Sequence, residues 1–439
     1  MQEFYEVLAM AKTLITAGWV LPVGTPPIKD GCVEISEGRF TYVGPIRDYP
    51  ESECELIEYS RGIILPGLVN AHTHLAYSLF RNRVTHSNPL DALLCIGELK
   101  HLMSADDLLK SVHIGSMECI RAGITTIANI VDLRHPEIAQ VTANHGLRTV
   151  ALLSVRDRDE IQEIDQILKK ILDHQPKAEV FRVGISPHSL YLVGPKRLRE
   201  LAAYAEKTAV PISIHLAELS EEAAFFKRAI RSTWVGEKLF RFYNKDRDRL
   251  RSPTLAAAEC RVLSPTTIAV HCIFVDDQDL NVLKAAGVSV CLCPRSNEQM
   301  GNSLPPLNAM VSKNLNLCLG TDSAATCKTY DMFEEMRLLF RAGKASTIDG
   351  GLTGADLLRI ATINGARALG LESVIGTLEV GKRADLVVVD IGDSRASDFK
   401  DPCERVVVSC RPSDVELTMV DGKPIWERPT PKVDFRSPV

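Results

Sequence analysis

From residue 67 onward, short apolar runs rich in β-branched residues alternate with longer stretches whose apolar positions recur at helical spacing. Eight runs carry the first pattern: 67–74, 124–130, 147–155, 183–186, 211–215, 267–272, 288–293 and 315–320. Strands separated by helices predict an α/β fold with a parallel sheet, and eight of them close into a (β/α)8 TIM barrel with its chemistry at the C-terminal strand ends. Before the barrel, residues 1–61 read as short strands broken by Gly-Pro turns, including 31–35 and 39–45. After residue 337 the pattern is helical through 355–361. Beta character returns at 384–390, and a hairpin over 419–426 turns at Asp421-Gly422. The two β-rich ends, 1–61 and 377–439, are expected to pair as one small discontinuous β-sandwich around a barrel at 62–376. Residues 231–264 are charged and irregular in register, and read as an insertion after the fifth run, placed to form a lid.

A chain of 439 residues suits one barrel plus a small domain. With 45% hydrophobic and 24% charged residues and a formal charge of −5, it has no basic excess for nucleic acid or an anionic membrane surface. The start shows no charged segment followed by an apolar core and cleavage site, and no run is long enough to span a bilayer, so a cytoplasmic protein is expected. Cys32, Cys119, Cys272 and Cys318 sit inside apolar segments and read as small buried hydrophobes in a reducing compartment. Cys291-x-Cys293 has the wrong spacing for a structural zinc knuckle.

The first run ends Leu65-Pro66-Gly67-Leu68-Val69-Asn70-Ala71-His72-Thr73-His74. Side chains two apart on a strand share a face, so two imidazoles can meet one metal there. With 11 histidines in 439 residues, chance alone supplies about 0.3 His-x-His pairs, and the motif needs partners. Other run ends supply them: Pro187-His188, His215 with Glu218, His271, and Thr321-Asp322-Ser323. Imidazoles and a carboxylate converging on one barrel mouth suit zinc, and the same set can hold ferrous iron. His101, His113 and His174 lie in polar or helical stretches and read as solvated or hydrogen-bonded side chains.

These motifs resemble the metal-dependent amidohydrolase superfamily in its deaminase and chlorohydrolase branch. Residues 375–388 and Val420-Asp421-Gly422-Lys423 match that branch too, so the resemblance covers nearly the whole chain. It implies a metal held by His72, His74, His215 and Asp322, with His271 orienting the attacking water. Binuclear members bridge two metals with a lysine or glutamate on the fourth barrel strand. Residues 183–188 offer neither, which implies one divalent metal, zinc first and ferrous iron as the alternative. Glu218, three residues beyond a ligand, can carry protons from the water to a ring nitrogen, and Glu218 or Asp322 can protonate the departing amino group.

For the substrate, Pro187-His188-Ser189-Leu190-Tyr191 resembles the segment whose histidine touches substrate in S-adenosylhomocysteine and methylthioadenosine deaminases. Residues 215–222 and Cys293-Pro294-Arg295-Ser296-Asn297 look closer to deaminases of aminodeoxyfutalosine, a menaquinone precursor that carries adenine. His188, Arg295 and Asn297 are therefore expected at the substrate. Nucleoside deaminases of this branch also place an acid after the first barrel strand to grip the ribose hydroxyls. The nearest acid here, Glu98, aligns with it only across a gap. The resemblance implies hydrolysis of the 6-amino group of an adenine-containing small molecule: aminodeoxyfutalosine first, then methylthioadenosine, S-adenosylhomocysteine or adenosine. Two rivals are a hydrolase of another heterocycle, such as guanine, cytosine or an s-triazine, and a catalytically silent barrel serving as a binding or assembly subunit. A silent barrel would have lost a ligand or proton-shuttle position, and none is missing. Small-molecule substrate and water are the expected partners, and a homo-oligomer is left open.

Overall fold

The computed structural model describes residues 12–50, 52–85, 88–173, 180–229, 233–344, 351–392, 395 and 400–429. Both extremes of the expected terminal domain, the first residues of the 231–264 segment and His174 lie outside them. The chain opens with β1 (Thr13–Val20), β2 (Ile28–Ser36), β3 (Arg39–Pro45) and β4 (Glu55–Pro66). Eight strands follow: β5 (Leu68–Thr73), β6 (Ile124–Asp132), β7 (Arg148–Ser154), β8 (Phe181–Ser186), β9 (Ile212–Leu216), β10 (Thr267–His271), β11 (Ser289–Leu292) and β12 (Asn316–Leu319). Then come β13 (Leu386–Val389), β14 (Val415–Val420) and β15 (Lys423–Glu427).

The eight apolar runs are the eight strands β5 to β12, parallel and in sequence order. The first and last meet through a parallel bridge between Thr73 and Asp322, which closes the barrel. The barrel interior is filled by pairs of side chains two residues apart: Val69 and Ala71, Ala128 and Ile130, Val150 and Leu152, Ile268 and Val270, Cys291 and Cys293. All twelve cysteines are free thiols and most are buried, as their apolar surroundings require. Helices pack outside the strands. In Ala105–Arg121, Ser104 and Asp107 form a reciprocal cap, and Leu108, Val112, Ser116, Cys119 and Ile120 are on the buried side.

The chain ends build a separate seven-stranded mixed sheet, ordered β15-β14-β13-β4-β1-β2-β3. Its opposite halves meet at their turns: the Ala384 amide donates to Gly38 O at 2.9 Å, and a Cβ on Gly422 would lie 2.9 Å from Gly38 Cα. The sheet therefore curls on itself, and Val33, Ile35 and Phe40 share a core with Leu386, Val388, Leu417 and Met419. The β14–β15 turn has φ of +51° at Asp421 and +72° at Gly422, the left-handed pair that a two-residue hairpin demands. Strand β4 runs on to Pro66, past the expected limit at residue 61, because its end pairs with β13.

The 231–264 segment differs from the irregular insertion expected of it. Where described, it folds into the helices Trp234–Tyr243, Arg247–Leu250 and Pro253–Glu259. Thr233 and Ser252 cap two of them, and Val235, Leu239 and Tyr243 recur every four residues on a buried face. Dense charge on the outer face hides that spacing in the sequence. Among the described residues no helix is long and apolar enough to cross a membrane.

Barrel and small domain are joined by a buried ion cluster. The Arg148 guanidinium, at the start of β7, donates to both carboxylate oxygens of Asp385 at 2.8 and 2.9 Å and to Asp421 Oδ1 at 2.6 Å. Arg148 is 1% exposed and Asp385 3% exposed, so removing one partner strands a charge away from water. Arg148→Ala is expected to lower unfolding free energy by about 3–5 kcal/mol, read from urea unfolding. An unchanged midpoint would contradict this role.

Candidate active site

The barrel seam between β5 and β12 sets the site. Asn70 Oδ1 accepts from the Thr321 amide at 3.0 Å, and Asn70 Nδ2 donates to Thr321 Oγ1 at 2.7 Å. The Asp322 amide donates to His72 O and the His74 amide to Asp322 O, each at 3.1 Å, while Thr73 Oγ1 donates to Asp322 O at 2.9 Å. Gly320 permits this approach, since a Cβ there would lie 2.8 Å from the His72 carbonyl oxygen. The Asp322 carboxylate Oδ1 then stands 3.8 Å from His72 Nε2 and 3.5 Å from His74 Nε2. Asp322 and His271 hold left-handed backbones, φ +59° and +72°, which non-glycine residues adopt at a cost and which concentrate at functional sites.

His215 arrives from β9. Strands β8 and β9 barely pair, and the His188 carbonyl fills the gap, accepting from the His215 amide at 2.8 Å and from its Nδ1 at 2.9 Å. That bond makes Nδ1 the donor and leaves Nε2 a lone pair, 3.4 Å from His74 Nε2. One ligand atom each from His72, His74, His215 and Asp322 lies within 4.8 Å of the others, and all four residues are buried. Both ring nitrogens of His72 are buried with no hydrogen-bond partner. A divalent cation bound by three neutral imidazoles and a carboxylate fits this donor set and meets that unmet demand. Burial, reinforced by the neighbouring imidazoles and other cations, drives the His74 and His215 pKa values down to about 3 and His72 well below its ordinary value, keeping the rings in their ligating form. Ser296 Oγ donates to Asp322 Oδ2 at 2.6 Å, with Thr326 Oγ1 at 3.3 Å, which leaves Oδ1 for the centre of the set.

Glu218 follows β9 on a turn that starts at Ala217, φ +50°. Its Oε1 lies 3.7 Å from His271 Nε2. Burial raises the Glu218 pKa, opposed by His271 and reinforced by Asp322, which favours a carboxyl able to hold and release a proton. Behind it, Glu222 Oε1 accepts from the Glu218 and Leu219 amides at 3.1 and 3.2 Å, and Asn302 Nδ2 donates to Glu218 O at 3.3 Å.

The residues open onto a cavity of about 390 Å³. His74, His188, His215, Glu218 and Asp322 line its floor; Tyr77, Glu98, Lys100, His101, Arg156, Tyr191, Trp234 and Met300 are among its walls. His188 lines it, its ring stacked on His215 at 4.6 Å. Arg295 and Asn297, expected at the substrate, are not among the residues that line the cavity. Arg295, in the helix Pro294–Gln299, donates to Cys327 O, Thr329 O and Thr329 Oγ1, which ties that helix to the turn after Ala324–Cys327. Asn297 is fully buried, with Oδ1 2.9 Å from His271 Nδ1. His101, read as solvated or hydrogen-bonded, is exposed and also lines the cavity, whereas His113 and His145 share a hydrogen bond at the surface.

Several wall residues escape sequence reasoning. Arg156 directly follows the third barrel run, so the strand-end criterion that found His188 reaches it as well. Lys100 and His101 come from the helix Pro89–His101, which also carries Glu98, the acid noted in the sequence, and Trp234 comes from the insertion; nothing local in the sequence aims these helices at the mouth.

Residues 63–425 match the profile of the Amidohydrolase family. The chain is 30% identical over 380 residues to the 5-methylthioadenosine/S-adenosylhomocysteine deaminase of Caldanaerobacter subterraneus subsp. tengcongensis, covering 85% of this chain and 83% of that protein. It is 30% identical over 420 residues to the 5'-deoxyadenosine deaminase of Methanothermobacter thermautotrophicus, covering 93% and 92%. An adenosine deaminase from Xanthomonas campestris, solved with bound zinc, superposes with a TM-score of 0.84 at 24% identity over 94% of this chain and 92% of that one, a likeness of fold.

Glu222 makes the site's surroundings sensitive to pH. Burial pushes its pKa up to about 8, against 4.5 for an ordinary glutamate. Between those values the folded state holds a proton that the unfolded state releases, so this group's contribution to stability is full below about 4.5 and lost as pH rises toward 8. Glu222→Gln keeps an accepting oxygen for both amides and removes the titration. Its unfolding free energy is expected to fall less steeply between pH 5 and 8, by on the order of a few kcal/mol across the window. Identical slopes in the two proteins would contradict this.

Proposed function

The chain belongs to the amidohydrolase family, and from that premise we propose that it is a hydrolytic deaminase of an adenine nucleoside whose 5′ substituent carries a carboxylate. The observation that carries the reaction is the placing of Glu218 Oε1 beside His271 Nε2 at the edge of the four-ligand set, on the floor of a nucleoside-sized cavity. When bound by His72, His74, His215 and Asp322, a divalent cation, zinc first and one per chain, supplies the acidity that makes water nucleophilic at neutral pH. Among the described residues β8 ends at Ser186, is followed by Pro187-His188, and brings no bridging acid or lysine for a second ion.

Glu218 takes a proton from the attacking water and delivers it to N1 of the purine as oxygen bonds to C6. The ring nitrogen thus becomes N–H as its neighbour becomes tetrahedral. The amino group must then gain a proton before leaving as ammonia, and Glu218 or Asp322 can relay it. His188, on the cavity floor, offers a polar contact to the base, and Tyr77 and Trp234 offer aromatic surface.

The tail follows from charge. Lys100 is paired with Asp132 at 2.6 Å, but Arg156 has no side-chain ion-pair partner among the described residues although it lines the cavity. A free guanidinium on a cavity wall suits a carboxylate. Aminodeoxyfutalosine and S-adenosylhomocysteine both carry one, which ranks them ahead of methylthioadenosine and adenosine, with aminodeoxyfutalosine first. Glu98, on the same cavity wall, is the acid available to ribose hydroxyls.

Ammonia release from these four compounds, with guanine, cytosine and a chlorinated triazine alongside, tests the reading. Turnover confined to the last three would overturn the substrate. Arg156→Gln is expected to raise KM for the carboxylate-bearing nucleosides by about 10- to 100-fold and leave methylthioadenosine and adenosine unaffected. A uniform loss across all four would remove Arg156 from tail recognition. Glu218→Gln should retain metal and lose turnover by on the order of a hundredfold or more. Near-normal rate in a metal-replete variant would exclude it from proton transfer.

A further inference from the structure

The two nitrogens of His271 have different surroundings. Nδ1 lies 2.9 Å from Asn297 Oδ1, whereas Nε2 is buried without a hydrogen-bond partner and faces Glu218 Oε1 at 3.7 Å. Asn297 is fully buried in the first turn of the helix Pro294–Gln299. Its backbone is pinned at both ends: its amide donates to Cys293 O at 3.0 Å, and its carbonyl accepts from the Asn302 amide at 2.8 Å. The side chain is thereby directed at the back of His271.

An amide oxygen accepts and cannot donate, so the proton between these atoms belongs to His271 Nδ1, and in a neutral ring Nε2 is then a lone pair. We propose that Asn297 is a positioning residue that locks His271 in the Nδ1-protonated tautomer, leaving Nε2 to accept from the attacking water. The role of that water rests on the deaminase reading; the tautomer does not. Water held between His271 Nε2 and Glu218 donates one O–H to each, which aims its oxygen lone pairs at the substrate carbon, and the proton on the Glu218 side transfers as the C–O bond forms. In the other tautomer Nε2 would carry a hydrogen and donate to Glu218, tying up the shuttle and repelling the water's own protons. The neighbouring Ser296 donates to Asp322 from the same turn, so two successive side chains fix groups at the ends of two different strands.

Two substitutions separate this role from packing. Asn297→Asp keeps an oxygen that only accepts; Asn297→Leu has none. In long-range ¹H–¹⁵N spectra of metal-loaded protein, with His271 resonances identified by their loss in His271→Asn, wild type and Asn297→Asp are expected to show the Nδ1-protonated pattern. Asn297→Leu is expected to lose it. With substrate, Asn297→Leu should lower kcat on the order of tenfold or more while metal content and KM hold, and Asn297→Asp should restore most of the rate. An Nε2-protonated ring in wild type, or an Asn297→Asp protein that loses the Nδ1-protonated pattern, would overturn the proposal even if Asn297→Leu does not fold. The spectrum needs no substrate, so it tests the tautomer even where the substrate has been assigned wrongly.

Discussion

Everything at the mouth of this barrel depends on the closure between β5 and β12. The exchange of backbone hydrogen bonds between His72, His74 and Asp322 fixes three of the four candidate ligands in one step, and Gly320 allows the two strands to come close enough for it. A parallel barrel must close to remove its edges, and here the closing contact is the same set of residues that gathers the donors. Stability and chemistry are thus tied at this seam: the left-handed backbone of Asp322 is held by bonds that also complete the fold.

Around that seam the supporting contacts are arranged so that each reactive group keeps one free atom. The His188 carbonyl takes His215 Nδ1 and frees Nε2, Ser296 takes Asp322 Oδ2 and frees Oδ1, and Glu222 takes the amides under Glu218 and frees its carboxyl. Such outer contacts set orientation and tautomer, and they account for the number of polar groups buried behind a small cavity. Burial then keeps the imidazoles of His72, His74 and His215 neutral and raises the pKa of Glu218, the states that a cation site and a proton carrier each require.

The barrel was legible because its signal is local: eight apolar runs became eight strands, and residues at their ends became the floor of the site. His72, His74, His215, His271 and Asp322 could be found this way because a strand end points at the mouth whatever the loops do. Arg295 and Asn297 show the boundary of that logic. Motif resemblance marks residues that matter without saying which way they face, and positions two apart in a helical turn diverge by about 200°. One therefore holds a loop, and the other backs His271. Lys100 and Trp234 were harder still, since they reach the cavity through the packing of whole helices. In the 231–264 segment, exposed charge concealed a four-residue apolar spacing that only burial reveals.

The central claim is hydrolysis at C6 of a purine. Its most direct test is mass spectrometry of the product formed in ¹⁸O-labelled water from metal-loaded enzyme and a 5′-carboxylate-bearing adenine nucleoside, with ammonia measured in the same sample. The account predicts a hypoxanthine nucleoside with one ¹⁸O on the base, an intact 5′ substituent and one ammonia per product. Free adenine, an altered tail or an unlabelled base would contradict it.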